Sequence, residues 1–188
     1  EIFNYKELKK LSCFNNTTFN SNTDTEVILY LYEIYGKSFL SYLEGDFAII
    51  LYDKSLNEFL IFRDRLGNKP LFYINYKNTL YVSSEIKALL SVLPKQYTKK
   101  INFSHLSNYL IDRNLPVYNE SFFQGIFSFK PSHLYRVDTN GDFKNIKKYW
   151  NLNFYSEKKN ISNIDFHDEF HELFKSSIVK RASCIYDK

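Results

Sequence analysis

The segment RDRLGNKPLFY, residues 63 to 73, gathers Arg63, Asp64, Arg65 and Lys69 around Gly67 before the chain turns apolar. Two arginines at alternate positions of a strand project to one side, which would let them clamp a carboxylate or phosphate or pin a neighbouring domain. The plainer reading is a strand end closed by an ion-paired turn, with Gly67 supplying a positive φ and Pro70 starting the next strand. Residue types alone leave both open. Asp24, second in the stretch TDTEVIL, stands at the start of a helix, where a carboxylate most often caps and alternatively holds a ligand's ammonium group. His167 and His171 stand at a spacing of four, as metal ligands on a helix do, but no third ligand lies nearby, and they read as solvated on the polar side of the last helix. His105 and His133 are isolated. Cys13 and Cys184 show no CxxC or metal spacing and no base beside them, so both read as ordinary thiols, and no metal site is expected. GxGxxG, P-loop, HExxH and GxSxG patterns are absent.

The elements that must position these residues follow from period and punctuation. TDTEVILYLYEIYG reads as a helix: Thr23 or Asp24 at its start, Glu26 in the first turn, Val27, Leu31, Ile34 and Tyr35 on one face, and Gly36 as the stop. Residues 1 to 11 begin with a helical pattern (Tyr5, Leu8, Leu11) that Asn15 and the residues after it break. DFAIILYD and EFLIFRD, separated by KSLN, predict a hairpin, and the unbroken apolar run FAIILY predicts a strand covered on both faces. LFYINY and TLYVSS flank Lys77 and Asn78, a two-residue turn in which Asn tolerates the left-handed conformation. SEIKALLSVL and NFSHLSNYLIDRNL read as helices ended by Pro94 and Pro116. Strands follow, with a turn at Asn140-Gly141. Residues 153 to 163 then become polar and linker-like, and beyond them Phe166, Phe170, Leu173, Phe174 and Ile178 form an apolar helical stripe. This order predicts an α+β domain with layered antiparallel sheets rather than a βαβ repeat.

Bulk properties narrow the function classes. With 188 residues, 44% hydrophobic and 19% aromatic, the chain suits one domain plus a piece of another. A formal charge of +4, from 25 basic and 21 acidic residues interspersed in sequence, leaves no nucleic-acid footprint. No apolar run approaches the roughly 20 residues of a membrane helix, and a signal-peptide core is missing, so the expectation is a cytoplasmic protein without membrane contact. Methionine is absent even at position 1, which points to a fragment or a processed chain.

The ordered set EIFNYKEL (1 to 8), TDTEVIL (23 to 29), LEGDFAIILYD (43 to 53), RDRLGNKPLFY (63 to 73), SSEIKALL (83 to 90), YLIDRNLP (109 to 116), FFQGIFSFKPSHLYRV (122 to 137) and KKYW (147 to 150) closely resembles the glutamine-hydrolysing asparagine synthetases. The likeness runs in order through nearly the whole chain. It implies a class II glutamine amidotransferase domain of the N-terminal-nucleophile hydrolase type, a four-layer αββα sandwich with antiparallel sheets, incomplete here. It divides the chain into an amidotransferase domain at 1–152 lacking its N-terminal part, a linker at 153–163, and the first helix of the synthetase domain at 164–188.

The site residues implied by this resemblance are few. The family's nucleophile is an N-terminal cysteine thiol with its own α-amine as proton acceptor, and its oxyanion hole comes from an Asn-Gly pair. Both would precede this chain, so no catalytic residue is assigned and the chain alone is expected to be inactive. Glu1 matches the Glu that closes the Asn-Gly-Glu motif and would line the glutamine pocket. Asp24 would pair with the α-ammonium of glutamine. Arg63, Asp64, Arg65 and Gly67 are implied to be structural or interdomain. Ser132 departs from the family's usual glycine. ATP and Mg2+ are implied for the full-length enzyme, which would convert aspartate and glutamine to asparagine and glutamate, but neither is expected to bind this piece, which stops before the Ser-Gly-Gly-x-Asp-Ser loop. A homodimer is compatible with the resemblance. Two alternatives stand beside this reading: an ATP-dependent amidotransferase of the same family acting on a different carboxylate, and a non-catalytic glutaminase-like binding module.

Overall fold

In the computed structural model, residues 1–15, 17–95, 100–112, 119–152 and 163–186 are described, the side chains of 112, 163–165 and 183–186 excepted. Pro116, the Cys184 side chain and the expected linker up to residue 162 lie outside this set. The helices are α1 (Tyr5–Leu8), α2 (Asp24–Tyr35), α3 (Ile86–Val92), α4 (Phe103–Asp112) and α5 (Asn163–Tyr186). The strands are β1 (Ala48–Asp53), β2 (Glu58–Arg63), β3 (Phe72–Tyr76), β4 (Thr79–Ser83), β5 (Phe127–Ser128), β6 (His133–Asp138) and β7 (Phe143–Lys148). They form two antiparallel sheets, ordered β1-β2-β6-β7 and β4-β3-β5. The chain divides into two compact units, residues 46–151 and residues 1–45 with 152–188.

In the unit of residues 46–151 the hairpins are set by local turn chemistry. Asp53 Oδ1 accepts the Ser55 and Leu56 amides and the Ser55 hydroxyl, closing the β1–β2 loop, with Asn57 at φ 54°. Lys77 and Asn78 both take positive φ, 50° and 56°, as a two-residue turn with the right twist requires. Gly141, at φ 86°, completes the β6–β7 turn, where Asp138 Oδ1 accepts the amides of Asn140 and Asp142. Ile61, Tyr135 and Val137 of the larger sheet pack with Leu71 and Phe129 and with Tyr73, Leu80 and Val82 of the smaller one. The smaller sheet's other face meets α3 through Ile74, Ile126, Leu89 and Leu93. Stacked antiparallel sheets backed by helix are the layered α+β arrangement the sequence predicts.

Two expectations are corrected. The strand covered on both faces is β2, whose Leu60, Ile61, Phe62 and Arg63 are all buried, rather than β1. Among the described residues β1 pairs only with β2, so its unbroken apolar run sits at a sheet edge where Ile50 and Tyr52 stay 49% and 43% exposed. The helical pattern at the N-terminus shortens to the single turn α1, because Ile2 makes a strand-like bridge to Gly45 instead.

In the other unit α2 buries Val27, Ile28 and Leu31, and Leu8, Phe14, Phe39, Leu40 and Leu43 are buried with them. Phe14, Phe19 and Tyr30 meet edge to face. On α5 the predicted apolar stripe is solvent-exposed: Phe166, Phe170, Leu173, Phe174 and Ile178 each show more than half their surface. No helix among the described residues is long and apolar enough to cross a membrane.

Candidate functional site

The first residues of the chain are held by backbone bonds at close quarters. The Phe3 amide donates to the Glu44 carbonyl at 2.7 Å, and Ile2 bridges Gly45 in antiparallel fashion. Asn4 clamps the same two segments, its Nδ2 donating to the Tyr42 carbonyl (2.9 Å) and its Oδ1 accepting the Glu44 amide (3.1 Å). Gly45 is required here by approach rather than by φ. A Cβ at this position would collide with the Glu1 carbonyl oxygen and lie 2.9 Å from Ile2 Cα.

Asp24, the first residue of α2, reaches this strand. Its Oδ2 accepts the Ile2 amide at 2.9 Å, the peptide joining Glu1 to Ile2, so the two residues implied by resemblance share one backbone junction. That bond also settles the capping question. Thr23 is the N-cap residue and makes no side-chain cap bond, while Asp24 spends one oxygen on a strand outside its helix. The turn before α2 is instead ordered by Glu26. Its carboxylate accepts the Asn20 and Ser21 amides at 2.8 Å and the Ser21 hydroxyl at 2.7 Å, and these bonds, the Asn20 amide first, hold it below the usual carboxylate range. Among the described residues Asp24 Oδ1 has one further contact, the Thr25 hydroxyl at 3.5 Å. A carboxylate oxygen so lightly engaged keeps lone pairs with which it can accept from a cation.

Arg63, Asp64, Arg65 and Gly67 belong to the other unit, where they form a turn rather than an anion clamp. The Arg63 guanidinium is buried and donates to the carbonyls of Lys69 (2.8 Å), Phe129 (2.6 Å) and Gly67 (2.6 Å) and to Ser128 Oγ (2.9 Å). Burial is the main influence on its pKa and lowers it, and Asp64 opposes that. Asp64, 1% exposed, accepts the amides of Leu66, Asn68 and Lys69. Arg65 points elsewhere and lies over the Trp150 ring at 5.8 Å. Gly67 has φ 73°, and a Cβ there would sit 2.7 Å from Pro131 Cγ. The neighbouring KKYW segment closes the knot, with the Tyr149 hydroxyl donating to the Arg63 carbonyl at 2.6 Å and burial raising its pKa.

His167 and His171 are exposed on α5, and no group of three or more metal-ligating side chains occurs among the described residues. His105 is buried against the edge of Phe122, and His133 Nδ1 lies 2.6 Å from the Pro131 carbonyl. Cys13 is a free thiol beside Tyr35, whose phenol is pushed up to about 12, first by the hydrogen bond with Cys13. Sequence reasoning passed over Asn4, Glu44 and Gly45, although a glycine just before a strand run is itself a signal of close backbone approach.

Residues 1–150 match the family described as a glutamine amidotransferase domain. Asparagine synthetase [glutamine-hydrolyzing] 2 of Bacillus subtilis (strain 168) is 36% identical over 156 residues, which are 81% of this chain and 20% of that protein. Asparagine synthetase [glutamine-hydrolyzing] 3 of the same organism is 29% identical over 181 residues, 96% of this chain and 28% of that protein. The chain thus spans between a fifth and three-tenths of the length of these curated relatives. Among solved structures, the glutamine phosphoribosylpyrophosphate amidotransferase from B. subtilis, complexed with ADP and GMP, aligns with a TM-score of 0.53 at 17% identity, over 79% of this chain and 27% of that one. At that identity the likeness is one of fold, and it agrees with the layered antiparallel sheets described above. With four-fifths of its residues matched to the family and a relative above 30% identity, the chain belongs to the glutamine amidotransferase domain family.

Proposed function

We propose that this chain supplies the glutamine-binding part of the ammonia-releasing domain of an asparagine synthase (glutamine-hydrolysing). Asp24 takes the α-ammonium of glutamine and Glu1 lines the pocket. The observation that carries the reading is the Asp24 Oδ2 to Ile2 amide bond of 2.9 Å, which ties the two carboxylate-bearing segments together and leaves Oδ1 for a cation. In this reading the thiol nucleophile and the oxyanion hole are the N-terminal cysteine and the Asn-Gly pair that the resemblance implies, and Cys13 is not the nucleophile. ATP, Mg2+ and aspartate then belong to a synthetase domain that opens with 164–188. Support for that division comes from the family match ending at residue 150 and from the exposed apolar stripe of α5. Arg63, Asp64, Arg65 and Gly67 hold the turn and, through the exposed side of Leu66 and Lys69, offer an interdomain contact.

In the complete gene product, Asp24→Asn should raise the KM for glutamine by about 30-fold or more, the usual cost of removing one partner of a closed charge pair. Asparagine formation from free ammonia, Mg-ATP and aspartate should be retained. An unchanged glutamine KM would rule out Asp24 as the ammonium partner. Product identification with a panel of carboxylates separates asparagine synthase from a family member acting on another acceptor. The 188-residue chain alone should release no ammonia from glutamine.

A further inference from the structure

The C-terminal half of α5 touches the strand that carries the proposed pocket, at two successive residues. Lys180 Nζ pairs with Glu44 Oε2 at 2.7 Å, and the Arg181 guanidinium lies over the Phe3 ring at 5.0 Å. Glu44 and Phe3 are the two residues whose backbones bond to one another at 2.7 Å, one position away from the Gly45–Ile2 bridge. Ile2 in turn donates its amide to Asp24. Arg181 is braced on its own helix by Ser177, its Nη1 donating to Ser177 Oγ at 2.5 Å and to the Ser177 carbonyl at 3.1 Å. The pair raises the Lys180 ammonium's pKa, first through the hydrogen bond it donates to Glu44. Exposed pairs of this kind are individually weak, yet they act here on the one strand whose placement decides where Glu1 and the Asp24 carboxylate sit.

From these contacts we infer that Lys180 and Arg181 are positioning residues for the amino-acid pocket, acting through Glu44 and Phe3. The inference rests on the glutamine-binding reading above. A strand that is already fixed when the substrate arrives spares the ordering cost that a loose one adds to the dissociation constant. The same two cations place the pocket under the control of whatever displaces α5.

Two readouts test this in the complete gene product. Hydrogen exchange of residues 1–5 and 42–45 should accelerate in Lys180→Ala and Arg181→Ala, while residues 46–151 keep their protection. The KM for glutamine should rise about threefold in each and about tenfold in the double variant, with kcat and ammonia-dependent synthesis unchanged, the range expected of exposed pairs. Lys180→Arg should restore the wild-type KM. High ionic strength should raise the wild-type KM by a larger factor than that of Lys180→Ala, because the variant has lost the Lys180–Glu44 pair and keeps only the charge contacts common to both. Unchanged exchange at 1–5 in the double variant would overturn the latch. Faster exchange with an unchanged glutamine KM would overturn the positioning role. A wild-type enzyme that never consumes glutamine would instead overturn the glutamine reading itself, while the exchange result alone decided whether the latch exists.

Discussion

Ser132 stands where the resemblance implies a glycine, and its geometry states what a side chain costs there. It has φ 59°, a left-handed conformation that favours glycine, and it is buried at 3% exposure with its hydroxyl donating to the Arg65 carbonyl at 2.6 Å. Ser132→Ala keeps the strain and loses the bond, so it should destabilise by about 1–2 kcal/mol. Ser132→Gly relieves the strain as it loses the bond and should come out near neutral, and urea denaturation of the two variants checks the pair. Arg63 is a stronger case. Its fork satisfies three carbonyls and a hydroxyl that no ammonium can reach together, so Arg63→Lys should cost about 3 kcal/mol, and a smaller loss than that of Ser132→Ala would contradict the account. At this scale the sequence was legible where a residue type has one dominant use, as at Gly67 and Asn78. It was not legible for Asp24, since a carboxylate at a helix start serves a cap and a distant strand equally well, and only the fold says that the strand wins.

Among elements, the segments with strong local chemistry appear as predicted and those set by tertiary position do not. α2, the three hairpins and α5 follow from caps, turn dipeptides and period. The assignment of the doubly buried strand failed because β1 and β2 have the same apolar run. Which of them becomes the sheet edge depends on β6 pairing with β2, some seventy residues away in sequence. The turn elements carry a pH dependence that can be given a sign. Asp138 is held below the usual carboxylate range, first by its hydrogen bond with Lys144 and then by backbone amides, and Glu26 is lowered in the same sense by the amides of residues 20 and 21. A carboxylate depressed in the folded state stabilises above its unfolded pKa, and that stability is lost as pH falls toward the folded value. Acidification below about pH 4 should therefore loosen the 138–142 turn and the 20–26 loop before the sheets, as read by residue-resolved exchange. Asp138→Asn should flatten the acid response of its own turn and leave that of the other.

On the scale of the whole molecule, resemblance supplied what periodicity does not: a family, a fold and an expected pocket. The structure adds the contacts that join residues 1–4 to 42–45, with Gly45 the most open to a test. Gly45→Ala should displace Glu1 and Ile2 from the strand bridge and raise the glutamine KM in the complete gene product, while circular dichroism of the sheets stays unchanged. The two rims of the larger sheet differ in a way that bears on assembly. β7 presents Lys144, Lys147 and Lys148 with all but its first residue exposed, a charged border that discourages further strands. β1 borders the opposite side with Ile50 and Tyr52 and carries no such guard. By this difference the lysine rim resists an added strand and, among the described residues, the isoleucine rim is the more receptive of the two. The 188-residue chain kept by itself should self-associate through that receptive rim, and a charge placed there, as in Ile50→Lys, should keep it dispersed where a change on the β7 rim would not.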